Sequence, residues 1–270
     1  MPELPEVETT VAGLVPVLDG RRIARIETRR PDLRKPFPEG LRQRLTGARV
    51  TGLGRRAKYG LIDTDRGDTM IFHLGMSGRW RIDPGALGAH DHLLLETEEG
   101  RVLALNDPRR FGFVDLWPTD RLDQYDAFSR MGPEPLGSGF TAAYLKGRLA
   151  GRAAPIKAML LDQSVVAGLG NIYVCEALHL SGIDPAKPAG QVPDAALSRL
   201  VDAVKAVLLA AIEAGGSSLR DYARPSGELG YFSKEWRVYG REGEACGCGA
   251  PIMRRVDSGR STFYCGKCQR

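Results

Sequence analysis

The sequence predicts an α+β protein: an N-terminal helix plus a β-sandwich domain, then a helical domain, then a small hairpin held by cysteines. Three observations carry this prediction. Apolar residues recur at helical spacing up to residue 18, and short strand-like runs fill residues 21–117. Beyond residue 137 the composition turns to helix formers, and four of the five cysteines fall within the last 25 residues.

Residues 1–18 read as a helix with Pro5 in its first turn, where proline forfeits no intrahelical hydrogen bond. Val7, Val11, Leu14 and Leu18 repeat at steps of four and three and define an inward stripe. Glu3 falls on that stripe, whereas Glu8 points away. Strand-like runs follow at 22–28, 70–74, 92–96 and 102–105. Gly, Asp and Pro punctuate them at regular intervals, the pattern of a β-sandwich or flattened barrel. The segment 131–137 reads as a linker. Helical spacing returns at 142–149, 155–161, 171–180 and 193–214, and the Gly-, Ser- and Pro-rich stretch 215–231 reads as a loop. The expected division is 1–131, 132–240 and 241–270.

The net charge of +5 and a pI near 9.0 suit an anionic partner without naming one. Basic residues cluster at Arg55, Arg56 and Lys58, at Arg109 and Arg110, and again from Arg254 to Arg270. The N-terminus is acidic where a signal peptide would be basic, and no run of about 18 apolar residues could span a bilayer. A cytoplasmic protein with no membrane partner is expected.

The terminus carries the first candidate chemistry. Methionine before proline is normally trimmed, which exposes Pro2 as the terminal residue. An α-amino group titrates near pH 8, against about 10.4 for lysine, so a useful fraction is unprotonated at neutral pH. As a secondary amine, Pro2 can attack an aldehyde-level carbon and give an iminium directly. Glu3 and Glu6 stand beside it. A carboxylate at the head of an apolar stripe faces desolvation, which raises its pKa and suits it to donating a proton. The helix macrodipole would also favour acidic residues in this turn, but it does not account for two prolines and two carboxylates at the very terminus.

The second candidate is a metal site. Cys246-Gly-Cys248 and Cys265-Gly-Lys-Cys268 are separated by 16 residues, a spacing that suggests one structural Zn2+ held by four thiolates. Between the pairs, 252–256 and 261–264 can form a hairpin turning at Asp257-Ser-Gly259, with Arg260 at its tip. So small a hairpin buries little and needs the metal to hold it. Cys175, in an apolar helix, reads as a buried spectator.

Other segments admit two readings each. Lys58 lies at a strand end, where a lysine also serves simply to discourage edge pairing. His90 is a loop histidine. Met76 in His73–Gly78, and Arg109 and Phe111 in Asn106–Gly112, sit on glycine-flanked turns; as isolated residues Met76 and Phe111 would pass for core. In Gln163–Tyr173 a helix ends, glycines permit a tight turn, and Asn171 is expected to cap the next helix. Free N–H groups there could hold a phosphate.

Pro2-Glu3-Leu4-Pro5-Glu6-Val7-Glu8-Thr9 resembles the opening of the bacterial formamidopyrimidine-DNA glycosylases. The two turn motifs, Gly168-Leu-Gly170-Asn171 and Ser258–Cys265 resemble the same family, in the same order along nearly the whole chain. The resemblance implies a helix–two-turn–helix element, a zinc finger, and a monomer acting on double-stranded damaged DNA. It implies removal of oxidised purines, notably 8-oxoguanine, followed by strand cleavage. Pro2 would be the nucleophile, Glu3 would assist sugar opening, Glu6 would manage later proton transfers, and Lys58 would contact phosphate beside the lesion. Met76, Arg109 and Phe111 would fill the gap left by an extruded nucleotide, offsetting an unstacking cost of a few kcal/mol. Asn171 would hold a phosphate, Arg260 would reach into a groove, and His90 would contact DNA. The loop over 217–231 would cover the extruded base, with Ser217 and Ser218 as donors.

In one respect the chain departs from the family pattern. Cys246 and Cys248 have one residue between them where the family has two, a change that could strain the first knuckle. Two other readings are a sister enzyme resembling endonuclease VIII, which acts on oxidised pyrimidines, and a zinc-finger DNA-binding protein without catalysis.

Overall fold

Helix α1 spans Leu4–Leu18, with Pro5 in its first turn and Glu3 at its N-cap. Its inward stripe forms as the spacing predicts, with Val7, Val11, Leu14 and Leu18 all buried. The structure, a computed structural model, describes residues 2–217, 225, 227 and 230–270. The chain divides into two units, one made of Met1–Ser129 with Ala214–Ser233 and the other of Arg130–Glu213 with Lys234–Arg270. Segment 214–233 thus belongs with the first unit, although it follows the helices of the second in sequence.

In the first unit α1 is followed by β1 (Ile23–Thr28), α2 (Leu41–Leu45), β2 (Val50–Arg56), β3 (Tyr59–Thr64), β4 (Asp68–His73) and β5 (Arg79–Ile82). Then come β6 (Asp91–Thr97), β7 (Val102–Asn106), β8 (Phe113–Pro118) and α3 (Asp126–Ser129). The strands form two four-stranded antiparallel sheets, ordered β1-β6-β7-β5 and β2-β3-β4-β8. One apolar core draws on both sheets and on α1, including Leu14, Ile26, Ile62, Phe72, Trp80, Leu95 and Val114. This is the sandwich that the short, regularly punctuated runs predict. Phe72 meets the edge of Trp80 with ring centroids 5.7 Å apart. Across the ladder from Phe72 lies Gly60, where a Cβ would come within 2.0 Å of the Phe72 ring. Only glycine leaves room for that ring, whose burial contributes about 2–3 kcal/mol.

The second unit contains α4 (Ala142–Leu149), α5 (Ile156–Leu161), α6 (Asn171–Ser181), α7 (Asp194–Glu213) and a hairpin of β9 (Met253–Asp257) and β10 (Arg260–Tyr264). Helix α7 packs a stripe of Leu197, Leu200, Val204, Leu208 and Ala211 inward. The α5–α6 turn is braced by one side chain. Gln163 Oε1 accepts the Gly168 N–H at 2.8 Å, while its Nε2 donates to the carbonyls of Leu161 and Leu169. The expectation that Asn171 caps α6 is corrected here. Gly170 holds the N-cap, with extended backbone at φ −132° and ψ −169°, and its carbonyl accepts the Val174 N–H. Asn171 is already helical, so its side chain is turned elsewhere.

Glu176, on α6, is buried and accepts three backbone N–H groups, from Arg237, Val238 and Tyr239, at 2.8–3.0 Å. This carboxylate fixes the segment leading to the hairpin. The hairpin turns through Ser258 and Gly259, both at positive φ, between the paired residues Asp257 and Arg260. That is the two-residue turn whose twist matches antiparallel strands. Among the described residues, no helix is long and apolar enough to cross a membrane.

Candidate active site

Pro2, Glu3 and Glu6 are all buried at the head of α1. Glu6 does the local structural work there. Its Oε2 accepts the Glu3 N–H at 2.8 Å, and its Oε1 accepts the Ser217 N–H at 2.7 Å. One carboxylate therefore fixes both the residue after Pro2 and the base of segment 217–231, whose ends pair at Ser217 and Tyr231. Charge-assisted bonds of this kind are about twice as strong as neutral ones. Glu8, off the stripe, is partly exposed and binds Arg55 Nε at 2.6 Å. The same guanidinium donates to the Ala57 carbonyl at 2.9 Å, in the two-residue turn that joins β2 to β3. Ala57 is fully buried at φ +52°, an unusual conformation for alanine. Lys58 is the other residue of that turn, so Arg55 links it to α1.

The turns 74–78 and 107–112 lie backbone against backbone. At Gly75, which has φ +62°, a Cβ would stand 2.3 Å from the Phe111 carbonyl carbon, so glycine is required twice over. Buried Asp107 joins the two turns, with Oδ1 accepting the Ser77 hydroxyl at 2.6 Å and Oδ2 the Gly112 N–H at 2.8 Å. Ser77 Oγ in turn accepts the Arg109 N–H at 3.2 Å, and His92 Nε2 donates to the Asp107 carbonyl at 3.0 Å. On this frame Met76 and Phe111 are 36% and 44% exposed, far from the burial a core role requires. The Arg109 guanidinium lies over the Phe111 ring at 4.8 Å. His73 Nδ1 accepts the Gly75 N–H at 3.0 Å, and its ring stacks on Phe113 at 5.5 Å. Burial, with Lys58 and Arg34 nearby, pulls the His73 pKa down to about 4.

In the second unit, Asn171 Nδ2 donates to the Ser261 carbonyl on β10 at 2.8 Å. Lys157 on α5 reaches the same carbonyl at 3.1 Å and Thr262 Oγ1 at 2.7 Å. Burial pulls the Lys157 pKa below the usual lysine range. Exposed Arg260 lines a cavity of about 350 Å³ with Lys157, Asp162 and Asp257.

The sulfurs of Cys246, Cys248, Cys265 and Cys268 all lie within 4.8 Å of one another. The Cys246–Cys268 and Cys248–Cys265 separations are 3.8 and 3.6 Å. Four sulfurs about 2.3 Å from a central ion would sit about 3.8 Å apart, so the four thiols fit a tetrahedral metal. The one-residue first loop still brings both of its sulfurs into the cluster. Cys175 is buried in the apolar cluster that backs the cysteines, with Val238, Ile252 and Phe263.

Residues 1–114 match the model of the formamidopyrimidine-DNA glycosylase N-terminal domain, and residues 131–223 match that of its H2TH domain. The chain belongs to the formamidopyrimidine-DNA glycosylase family. It is 70% identical to the formamidopyrimidine-DNA glycosylase of Rhizorhabdus wittichii and 66% identical to that of Sphingopyxis alaskensis, each over all of both chains. Lactococcus lactis Fpg, solved in complex with abasic-site DNA, is 37% identical over the whole of both chains, with a TM-score of 0.92. A further structure from that organism, a mutant Fpg in complex with Fapy-dG-containing DNA, matches equally well.

This is a family of DNA glycosylases, and most of the residues that the resemblance singles out stand on shared frames. Pro2, Glu3 and Glu6 occupy the buried head of α1, and Arg55 links the Lys58 turn to that helix. Met76, Arg109 and Phe111 share the Asp107 frame, and the four cysteines converge. His90 is exposed beside that frame, and its carbonyl accepts the Asp107 N–H. Ser217 is buried and uses its backbone N–H on Glu6; Ser218 lies outside the described residues. Sequence reasoning missed Arg55, Asp107, Lys157 and Glu176. A signal existed for Lys157 and Glu176, charged residues inside otherwise apolar helices. Asp107, between Asn106 and Pro108, reads only as a turn residue.

Proposed function

We propose that this chain is a bifunctional DNA glycosylase and abasic-site lyase acting on oxidised purines, 8-oxoguanine and formamidopyrimidines, in double-stranded DNA. The observation that carries this reading is the buried head of α1, where Glu3 and a doubly held Glu6 flank Pro2. Once Met1 is removed, the Pro2 nitrogen attacks C1′ of the extruded nucleotide. The glycosidic bond breaks, and its electron pair leaves with the base, which takes up a proton. Glu3 donates the proton that lets the sugar C1′–O4′ bond open, giving an iminium between Pro2 and C1′. Elimination then breaks the C3′–O3′ bond and next the C5′–O5′ bond, with Glu6 passing protons, and water releases the enzyme.

Lys58 and Asn171 hold phosphates, and Arg260 and exposed His90 contact the duplex. Met76, Arg109 and Phe111 occupy the space vacated by the base. The four-cysteine site holds one Zn2+ as a structural ion, which keeps Arg260 on an ordered hairpin and takes no part in the chemistry. The enzyme acts as a monomer in the cytoplasm.

Borohydride trapping tests the mechanism. A duplex with 8-oxoguanine opposite cytosine should yield a covalent adduct with the trimmed protein and none when Met1 is retained. No adduct from the trimmed protein would overturn the mechanism. Equal trapping on an oxidised pyrimidine would move the substrate reading to the sister family.

A further inference from the structure

Thiolates bound to a metal carry excess negative charge, and donors in the surrounding shell tune how firmly they hold the ion. One such donor stands against the cysteine cluster, with His179 Nε2 3.3 Å from Cys246 Sγ. His179 lies in the last turn of α6, where Gly182, at φ +73°, ends the helix and donates to the His179 carbonyl. The backbone N–H of Cys246 is engaged with the Ala250 carbonyl at 2.8 Å. His179, Arg237 and Arg241 line a cavity of about 520 Å³ together with Cys246, Cys248 and Cys268. This face of the cluster is thus open; the Cys248 backbone N–H is directed at the Cys246 sulfur within its own loop, and the imidazole is the side chain set against that sulfur.

We propose that His179 is a positioning residue of the metal site, donating Nε2–H to the Cys246 thiolate. The inference rests on the reading that the four cysteines hold zinc. Its tautomer follows from counting protons. A metal-bound thiolate has none to give, so the contact is a hydrogen bond only if Nε2 carries the hydrogen. Nδ1 is then a bare acceptor; it is buried and meets no partner among the described residues. A buried acceptor is the cheaper of the two groups to leave unmatched. The donated hydrogen draws charge from the sulfur without competing for the metal. It also shields the thiolate on the face where a chelator or alkylating agent would approach.

The test uses the full-length, zinc-loaded protein. His179→Phe keeps a ring of similar size but no donor, and His179→Gln keeps an N–H. Competition with a chromophoric chelator should show zinc held about 10–100-fold more weakly by His179→Phe and near wild type by His179→Gln. In the cobalt(II)-substituted protein the thiolate charge-transfer band should move to lower energy in His179→Phe alone. Unchanged affinity and band in His179→Phe would overturn the proposal, as would equal impairment of both variants, which marks a packing role. Should the variants fail to fold, the imidazole nitrogen shifts of His179 in the zinc-loaded wild type decide. An Nε2–H tautomer supports the proposal and an Nδ1–H tautomer overturns it. A wild-type chain that retains no zinc would overturn the metal reading itself. Zinc retained equally by wild type and His179→Phe would sink this inference alone.

Discussion

Asp107→Asn is the sharpest probe of the frame that presents Met76, Arg109 and Phe111. The wild-type carboxylate is fully buried and accepts from two donors, the Ser77 hydroxyl and the Gly112 N–H. Asparagine replaces one acceptor oxygen with an NH2 group. Turned toward Gly112, that group opposes an N–H. Turned toward Ser77, it forces the hydroxyl to reverse, although its oxygen already accepts from Arg109. Either way one charge-assisted bond is lost and the other becomes neutral. A hydrogen bond to a charged group contributes about 1.5–3 kcal/mol, and some of the loss is offset because no charge is buried, so about 2 kcal/mol is expected. For a unit of this size that lowers Tm by about 4–8 °C, measurable by calorimetry on the full chain. Asp83→Asn is the control. Asp83 pairs with Arg101 at 2.5 Å while both side chains are 45% exposed, so its loss should cost well under 1 kcal/mol by the usual worth of surface pairs, about 0–1 kcal/mol. A shift for Asp107→Asn below about 1 °C, or no larger than the control, refutes the argument.

Three further outcomes are expected. Because the His73 pKa in the folded chain lies near 4, below the unfolded value of 6.5, the unfolded chain binds the extra proton first. Its contribution is full above pH 6.5 and is lost as pH falls toward 4, on the order of 3 kcal/mol. Urea midpoints across that window should fall less in His73→Gln than in wild type; parallel curves would contradict this. Glu176→Gln turns one acceptor of three backbone N–H groups into a donor and should lower the urea midpoint by the equivalent of about 2–3 kcal/mol. A wild-type midpoint would show that water replaces the carboxylate. Stripping the metal with a strong chelator should expose the amides of β9 and β10 to hydrogen exchange while the sandwich strands stay protected, because so small a hairpin cannot hold itself. Retained protection at 253–264 would show that packing suffices.

Legibility in the sequence followed the range of the interactions. The sandwich was readable because short strand-like runs are punctuated at regular intervals by Gly, Asp and Pro, and α1 and α7 because their stripes repeat within a turn or two. The cysteine site was readable because sulfur pairs announce themselves by spacing alone. Arg55 was visible only as part of a basic cluster, and nothing local says that it bridges Glu8 to the Lys58 turn, 47 residues from Glu8. The Asn171 cap failed for a related reason. Asparagine is a good cap in isolation, but its amide is drawn to the Ser261 carbonyl 90 residues away, and the neighbouring glycine supplies the extended backbone instead. Asp107 looked like an ordinary turn former because Ser77 lies 30 residues before it.

The Glu6 clamp has a consequence for the order in which the protein is made. Of two backbone donors to it among the described residues, Glu3 lies three residues before it and Ser217 lies 211 residues after it. During synthesis the first is present at once, while the second emerges only after about four-fifths of the chain has been translated. Until then the Glu6 carboxylate has yet to meet the Ser217 N–H, its link to segment 214–217. The two ends of the clamp are therefore joined only late in synthesis, when most of the chain has already been made.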